Sequence, residues 1–196
     1  MIVKENDTVV LIEGNIFKYY FNKRTGLFDK ILYDGIDQIV KPMEVNIWRE
    51  LTDADVNIRK EWYRVKYDKT SVRACNTIVE KKGNAVVIKS MMSLASEAVQ
   101  KILEMKTVWV IDVKGVISLE MSVKRYPENP ILPNFGLRLH LDNKSKMEQH
   151  GNCFNCSNVS LKSERKGLME EGSAQHKLEQ KEFDFKLKLI PYKKGE

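Results

Sequence analysis

The sequence lacks any apolar run long enough to cross a membrane, because Lys, Arg, Asp or Glu interrupts every hydrophobic stretch of its 196 residues. A membrane-spanning helix needs about 20 consecutive apolar residues. The first ten residues, MIVKENDTVV, have neither the basic leader nor the apolar segment of a secretory signal. Cysteine is also scarce, and 3 cysteines are too few for a disulfide framework. These absences predict a soluble cytoplasmic protein that does not associate with membranes.

The sequence also has no strong excess of positive or negative side chains. Lys and Arg total 33 against 27 for Asp and Glu, and the resulting net charge of +6 is spread evenly along the chain. No basic stripe is available to follow a phosphate backbone, so we predict no nucleic-acid partner. A glycine-rich phosphate loop, a nucleotide-binding fingerprint and a Ser-His-Asp arrangement are all absent, and we predict no cofactor.

The sequence does contain a repeated alternation of apolar and polar residues, which is typical of strands with one buried and one wet face. The segments that show it most clearly are 116–124, 135–141 and 182–189. Gly or Asn between other apolar runs favours tight hairpins. Such turns occur at Asp34-Gly35, Gly83-Asn84 and Lys114-Gly115. The pattern predicts an all-β fold, an antiparallel β-sandwich, with residues 1–196 as a single domain.

One or two short helices are expected within this fold. Residues 55–65 place Ile58, Trp62 and Val65 on one helical face, with Asp53 or Asp55 as the N-cap. A second candidate helix covers residues 93–103, which include good helix formers but have only loosely helical apolar spacing. By contrast, residues 142–180 are polar and without sustained periodicity, and they predict an irregular loop or insertion.

Residues 41–70, KPMEVNIWRELTDADVNIRKEWYRVKYDKT, form the most distinctive stretch of the chain. Arg49 can pair with a carboxylate through two hydrogen bonds, and Asp53 and Asp55 can cap the helix that follows. Trp48 offers a flat surface for packing or for stacking on a sugar ring. Two interpretations stay open here. The cluster binds a sugar or a partner protein, or it is an internal ion pair and helix cap that hold the loop.

Several blocks, in this order, resemble the small chain, or fifth domain, of the family 2 β-galactosidases. The family's first block is similar to FKYYFNKRTGLF at residues 17–28, and its P-M-x-P-N-x-W-R-A-P-T-D-N-D block is similar to residues 42–55. A third block is similar to LPNFGLRL at 132–139, and the closing EFDFKLKLIPY resembles the final strand of that domain. The matching positions include Trp48, Arg49, Asp53, Asp55, Glu61, Trp62 and Arg138.

The chain also departs from the family pattern. Glu50 and Leu51 stand where the family has Ala-Pro. Ala54 stands where it has Asn, and Asn134 stands where it has Arg. Two later blocks, W-Y-G-R-G-P-x-E and Y-x-x-P-Q-E-x-G, are absent. Part of the sugar-facing surface of the family is therefore expected to be missing.

The resemblance implies a partial galactose mutarotase-like supersandwich that supports catalysis without performing it. Retaining glycosidases use two carboxyl groups roughly 5 Å apart, and in this family both come from a barrel domain or a separate large chain. Such a barrel usually takes about 250 residues, so we predict no catalytic residue here. The implied partners are a β-galactosidase large chain and galactosides. The residues expected to bind carbohydrate or to dock on the large chain are Trp48, Arg49, Asp53, Asp55 and Arg138.

Two alternatives to this support role stay open. The chain could be a free-standing carbohydrate-binding sandwich that holds galactosides with aromatic and Arg side chains on a wet sheet face. It could also be a shortened small chain whose exposed strand edges pair with a second copy to form a homodimer.

A second constellation comprises His150, Cys153, Cys156 and His176. Thiolate and imidazole ligands suit tetrahedral zinc. A strong zinc signal would have two paired half-sites, whereas this segment has one Cys pair with a loosely placed His on each side. We therefore predict no metal site and incidental thiols, with redox pairing of Cys153 and Cys156 as an alternative.

Overall fold

The computed structural model describes residues 1–141, 148–151 and 181–191, with the backbone alone at 148–151. The strands in these ranges are β1 (Ile2–Glu5), β2 (Val9–Glu13), β3 (Phe17–Asn22), β4 (Leu27–Tyr33), β5 (Ile36–Asp37), β6 (Lys41–Asn46), β7 (Thr70–Lys82), β8 (Ala85–Ser96), β9 (Leu103–Ile111), β10 (Ile117–Arg125), β11 (Gly136–His140), β12 (Glu148–Gly151) and β13 (Glu182–Ile190). The helical elements are a 3-10 turn (Asp53–Asp55) and the helix α1 (Arg59–Arg64).

The first sheet is an antiparallel meander of β1 to β5, in which each strand pairs with the next one along the chain. Its last hairpin turns at Asp34 and Gly35, whose φ angles are 51° and 73°. Both values lie in the left-handed region, which Gly adopts freely and Asp tolerates. The predicted Asp34-Gly35 hairpin is therefore confirmed.

The second sheet has six antiparallel strands in the order β12-β13-β10-β9-β8-β7. Alternation gives it one apolar face, because Leu119, Met121 and Val123 of β10 are buried while Glu120 and Ser122 are exposed. β13 follows the same pattern opposite β10. The strands predicted from alternation at 116–124 and 182–189 are confirmed.

Buried aromatic rings join the two sheets. Phe21 and Phe28 lie edge-on to Trp109, with ring centroids 6.3 and 5.1 Å away, and all three rings are fully buried. The Trp109 indole N–H donates to the carbonyl of Gly26 at 3.2 Å, which satisfies its polar atom inside the core. The predicted all-β antiparallel sandwich is confirmed.

β6 and β11 form a two-stranded antiparallel sheet of their own, and β6 lies next to β4. Phe135, just before β11, packs edge-on against Phe183 and Phe185 of β13, with ring centroids 5.1 and 5.7 Å apart. This packing fixes β6 and β11 against the larger sheet. The segment 47–69, which joins β6 to β7, is thereby placed beside the sandwich.

The second candidate helix, at 93–103, is wrong. β8 extends to Ser96 and β9 begins at Leu103. Leu94 of β8 and Leu103 of β9 face each other as buried register partners, so packing across the sheet overrides local helix propensity. Residues 148–151 also form a strand, in place of the irregular structure expected there, because their backbone pairs with β13. The remainder of 142–180 lies outside the described residues.

The other helix is confirmed, although it is shorter than predicted. α1 begins at Arg59, and its N-cap is Ile58, not Asp53 or Asp55. Those aspartates belong to the separate 3-10 turn, whose N-cap is Thr52. Trp62 and Val65 are buried, as the predicted apolar face requires. None of the helices among the described residues is long and apolar enough to span a membrane.

Candidate functional site

A two-pronged ion pair lies at the centre of the segment between β6 and β7. Nη1 of Arg49 donates to Oδ2 of Asp55 and Nη2 donates to Oδ1, both at 2.7 Å. The 3-10 turn brings the two side chains together, since it folds the carboxylate back toward the end of β6. The predicted pairing of Arg49 with a carboxylate is thus confirmed, and its partner is Asp55.

Almost all the hydrogen-bond donors of the Arg49 guanidinium group are used by other residues of the same chain. Besides the two bonds to Asp55, Nε donates to the carbonyl of Pro133 at 2.9 Å and Nη1 donates to the carbonyl of Glu50 at 3.0 Å. Its guanidinium carbon also lies 5.6 Å from the ring centre of Trp62, within cation–π range. Four of its five N–H groups are therefore used internally.

Asp55 is only 5% exposed, and both of its oxygens accept hydrogen bonds. The Thr52 backbone N–H and hydroxyl donate to Oδ2 at 2.7 and 2.9 Å, in addition to the bonds from Arg49. The hydrogen bonds from Arg49 lower the pKa of Asp55 to about 2, and burial, which opposes ionisation, is outweighed. Asp55 is consequently a carboxylate near neutral pH and not a proton donor.

Asp53 is separate from this cluster. Its side chain is exposed and forms no hydrogen bond or ion pair with another described residue. The sequence offered Asp53 and Asp55 equally as helix caps and site residues, but in the folded turn only Asp55 pairs with Arg49. Although they are only two positions apart, Asp53 is exposed to solvent and Asp55 is buried.

Aromatic side chains cover the ion pair. Trp62 is buried, and its indole N–H donates to the carbonyl of Ile131 at 2.7 Å. Trp48 is half-buried and contacts Trp62 and Tyr63, with ring centroids 6.5 and 5.6 Å away. Tyr63 is 51% exposed, so Trp48 and Tyr63 form an aromatic surface at the edge of the segment. The sequence interpretation did not include Tyr63, although its position next to Trp62 on a short helix places it on the outer side.

Arg138 is connected to this surface through Asn46. Nη2 of Arg138 donates to Oδ1 of Asn46 at 2.9 Å, and Nδ2 of Asn46 donates to the carbonyl of Trp48 at 2.8 Å. Glu44 lies 4.0 Å from Arg138 and 3.8 Å from His140. Of the five predicted site residues, the structure therefore links four into one network and leaves Asp53 outside it.

The four weak metal candidates have no side chains within the described part of the structure. Cys153, Cys156 and His176 lie outside the described residues, and His150 is described only as backbone in β12. Within the described ranges, no group of three or more His, Cys, Asp or Glu side chains is arranged to hold a metal ion.

Comparison with known families decides what kind of chain this is. The family model described as "Beta galactosidase small chain" matches residues 13–152, which include β6, the Arg49–Asp55 pair and β11. The chain belongs to the beta-galactosidase small chain family. The resemblance read from the sequence blocks is therefore confirmed.

Individual relatives agree with the family match. The chain is 33% identical over 139 residues to a beta-galactosidase of Actinobacillus pleuropneumoniae, an alignment that covers 71% of this chain and 14% of that protein. It is 25% identical over 142 residues to a beta-galactosidase of Staphylococcus xylosus, covering 72% of this chain and 14% of that protein. The aligned region is thus about one seventh of each relative.

Proposed function

We propose that this chain is a non-catalytic module of a β-galactosidase that packs against a catalytic large chain and supports the hydrolysis of β-galactosides such as lactose. The observation that carries the proposal is that the chain aligns with only 14% of the length of two much longer beta-galactosidases. The greater part of those enzymes lies outside the aligned region, and a catalytic barrel of about 250 residues would lie there.

The chemistry of the described site also favours a supporting role. A retaining glycosidase needs one carboxyl group as a nucleophile and another as an acid/base, roughly 5 Å apart. Asp55 is held by Arg49 and Thr52, and its low pKa makes it a poor proton donor near neutral pH. Asp53 is exposed and forms no hydrogen bond with this cluster, which supports a non-catalytic role for the two aspartates.

The docking surface that we propose is the aromatic edge formed by half-buried Trp48 and exposed Tyr63. Large aromatic residues that are partly exposed are enriched at protein interfaces because they bury much apolar area with few rotatable bonds. The Arg49–Asp55 pair holds the loop behind this edge in one conformation. A preformed loop loses less conformational entropy on binding than a mobile one.

Arg138, Asn46 and Glu44 extend this surface with polar side chains, and we propose that they face the galactoside or its large-chain pocket. We also assign the sandwich to the galactose mutarotase-like supersandwich type and the assembly to glycoside hydrolase family 2. The sequence blocks at 17–28, 42–55 and 132–139 support these finer assignments.

Association can be tested with a truncated relative. The beta-galactosidase of Actinobacillus pleuropneumoniae would be produced without the region that aligns with this chain, mixed with this chain, and separated by size-exclusion chromatography. We expect co-elution, which Trp48→Ala or Tyr63→Ala weakens. Ile78→Ala is the matched control, since Ile78 on β7 is 48% exposed and lies outside the segment 47–69. Separate elution, while the relative's own excised region does co-elute, would refute the proposal.

A second candidate function is free carbohydrate binding, and the combination of partly exposed Trp48 and Asn46 with exposed Arg138 favours it. Stacking aromatic rings and polar side chains are the groups that a sugar-binding surface uses. Calorimetric titration of the isolated chain with galactose and lactose decides between the two. Saturable heat that Trp48→Ala abolishes supports independent binding, and its absence leaves the large chain as the partner. Light scattering of the same sample reports whether the chain forms a homodimer.

A further inference from the structure

A groove lies on the outer face of the β7–β8 hairpin, and its lining residues are separate from the aromatic edge formed by Trp48 and Tyr63. It lies where β7 has a β-bulge, since the register with β8 shifts between Ala74 and Asn76 and leaves Cys75 as the extra residue. A bulge bends its strand and redirects the neighbouring side chains. The depression that results is bordered by β7 on one side and by β8 with the following loop on the other.

The groove is large enough for a small molecule. Its volume is about 520 Å³, and small-molecule sites typically measure about 300 to 1,000 Å³. Two alanines line it together with the polar side chains of Ser71, Arg73, Cys75, Ser93 and Gln100. Small residues leave the space open, and the polar ones can all donate hydrogen bonds.

These donors have no partner elsewhere in the described chain. Arg73, Ser71, Ser93 and Gln100 form no side-chain hydrogen bond or ion pair with another described residue, and no carboxylate lines the groove. By contrast, Arg49 and Arg64 are each paired with a carboxylate. Glu104, which is opposite Ser93 in β9, accepts a hydrogen bond from the hydroxyl of Tyr126 at 3.1 Å instead.

The register places the donors on one face of the sheet. Arg73 and Ser93 are direct partners across β7 and β8, and Ser71 is two residues from Arg73 on the same strand. Residues two apart in a strand share a face, and direct partners across an antiparallel pair lie about 5 Å apart. Arg73 therefore has a hydroxyl-bearing neighbour along its own strand and another across the strand pair, and all three residues line the same groove.

We propose that this groove binds a small oxyanion, either a phosphate group or a carboxylate, which Arg73 holds through its planar pair of N–H donors while Ser71 and Ser93 donate from the sides. Guanidinium groups recognise these two anion types through paired hydrogen bonds, which a Lys ammonium cannot form. The proposal does not rest on the docking role proposed above, because it involves other residues, on β7, β8 and the loop that follows β8.

Cys75 provides a direct reporter for the test. Its thiol is free, exposed and part of the groove lining, so a bound anion should shield it. The alkylation rate of Cys75 by iodoacetamide would be measured at the peptide level by mass spectrometry, which separates Cys75 from the other two cysteines. Inorganic phosphate and acetate are titrated in separate arms, with chloride at equal ionic strength as the reference.

We expect saturable protection of Cys75 by phosphate or acetate but not by chloride. Arg73→Ala should weaken that protection about tenfold or more, which is the loss expected for a charge-assisted hydrogen-bond pair. Arg73→Lys keeps the charge but should restore only part of it. Arg59→Ala, which removes another exposed Arg, is the net-charge control and should leave protection unchanged.

Three results would overturn the proposal. The first is that neither anion protects Cys75 saturably. The second is that Arg73→Ala is protected as well as the wild type. The third is that Arg59→Ala loses as much protection as Arg73→Ala, which would indicate diffuse charge attraction. Circular dichroism of each variant confirms that the sandwich is folded, and NMR titration of the backbone amides of β7 and β8 provides a second readout where alkylation is slow.

Discussion

The two regions that cover the six-stranded sheet differ in how much polar contact accompanies their apolar packing. Over one part, the meander of β1 to β5 packs through fully buried rings such as Tyr19, Phe28 and Trp109. Over the other, the segment between β6 and β7 is held by side chains that donate to backbone carbonyls. Arg49 reaches Pro133, Trp62 reaches Ile131 and Tyr67 reaches Pro130.

The difference follows from backbone hydrogen bonding. In the meander, strand ladders satisfy most peptide groups, so most of the packed side chains are apolar, and only turn carbonyls such as those of Gly26 and Gly115 accept from Trp109 and Tyr19. Residues 130–133 have no ladder, and three side chains of the 49–67 segment supply the missing donors. Polar side-chain contacts are directional, whereas apolar burial is not. The second region is therefore suited to hold one loop conformation, and the first is suited to supply stability.

The largest predicted effect is in the apolar region. Trp109→Ala removes a fully buried ring and its hydrogen bond to Gly26, and we expect a loss of about 4 kcal/mol in the free energy of unfolding. Urea denaturation followed by circular dichroism measures it. Trp109→Phe, which keeps an aromatic ring, should cost clearly less. A cost near zero for Trp109→Ala would show that the two sheets are not packed on each other as described.

The next effect is in the polar region. Arg49→Ala leaves the buried carboxylate of Asp55 without its main partner, and we expect a loss of about 2 to 3 kcal/mol, less than for a completely buried pair since Arg49 is partly exposed. A double-mutant cycle with Asp55→Asn isolates the coupling between the two side chains. Additive losses would contradict the observed pairing.

The same pair predicts a dependence on acid. The pKa of Asp55 is lowered in the folded state, so its contribution to stability is fully present above the ordinary carboxyl pKa near 4 and is lost as the pH falls toward 2. The stability difference between the wild type and Asp55→Asn should therefore shrink over that interval. Taking the difference cancels the contributions of other paired acids such as Glu80 and Glu97, whose pKa values are also lowered by Lys neighbours. A difference that is constant between pH 4 and pH 2 would be inconsistent with the lowered pKa.

A smaller effect is expected at Trp62. Trp62→Phe keeps a buried ring but removes the hydrogen bond to Ile131 and weakens the contact with Arg49, at a cost of about 1 kcal/mol. Trp48→Phe is the matched control, because the indole N–H of Trp48 has no partner among the described residues. Equal costs for both variants, measured by urea denaturation, would argue against the role assigned to the Ile131 carbonyl.

The smallest effect is expected on the outer face of the six-stranded sheet. Lys186 and Glu120 form an exposed cross-strand ion pair at 2.9 Å. Exposed pairs contribute little, because solvent and salt screen them. Lys186→Ala should leave the denaturation midpoint unchanged within experimental error, and a clear loss would mean that this face is less solvated than its exposure indicates.

Sequence patterns predicted those parts of the fold that depend on local chemistry. The strand β10 and the Asp34-Gly35 turn follow from alternation and from residues that tolerate positive φ. The end of β8 was mispredicted because Leu94 is buried by a partner from β9, which local propensity does not encode. Long-range pairing decides such segments.

The candidate site was predictable only in part, for a similar reason. Arg49 required a carboxylate, but the choice of Asp55 over Asp53 depends on how the 3-10 turn folds. The other acceptors of this region are the carbonyls of Ile131 and Pro133. Every residue has a carbonyl, so a backbone acceptor leaves no signal in the sequence. The bulge at Cys75 was likewise invisible, because it depends on the register between two strands.

The proposed supporting role is tested most directly by an activity titration. Increasing amounts of this chain would be added to the truncated Actinobacillus pleuropneumoniae enzyme, and hydrolysis of o-nitrophenyl galactoside would be followed. We predict no hydrolysis by this chain alone and an activity that rises to saturation at one chain per truncated enzyme. Turnover by the purified chain alone, or no gain in activity where the relative's own excised region restores it, would contradict the account.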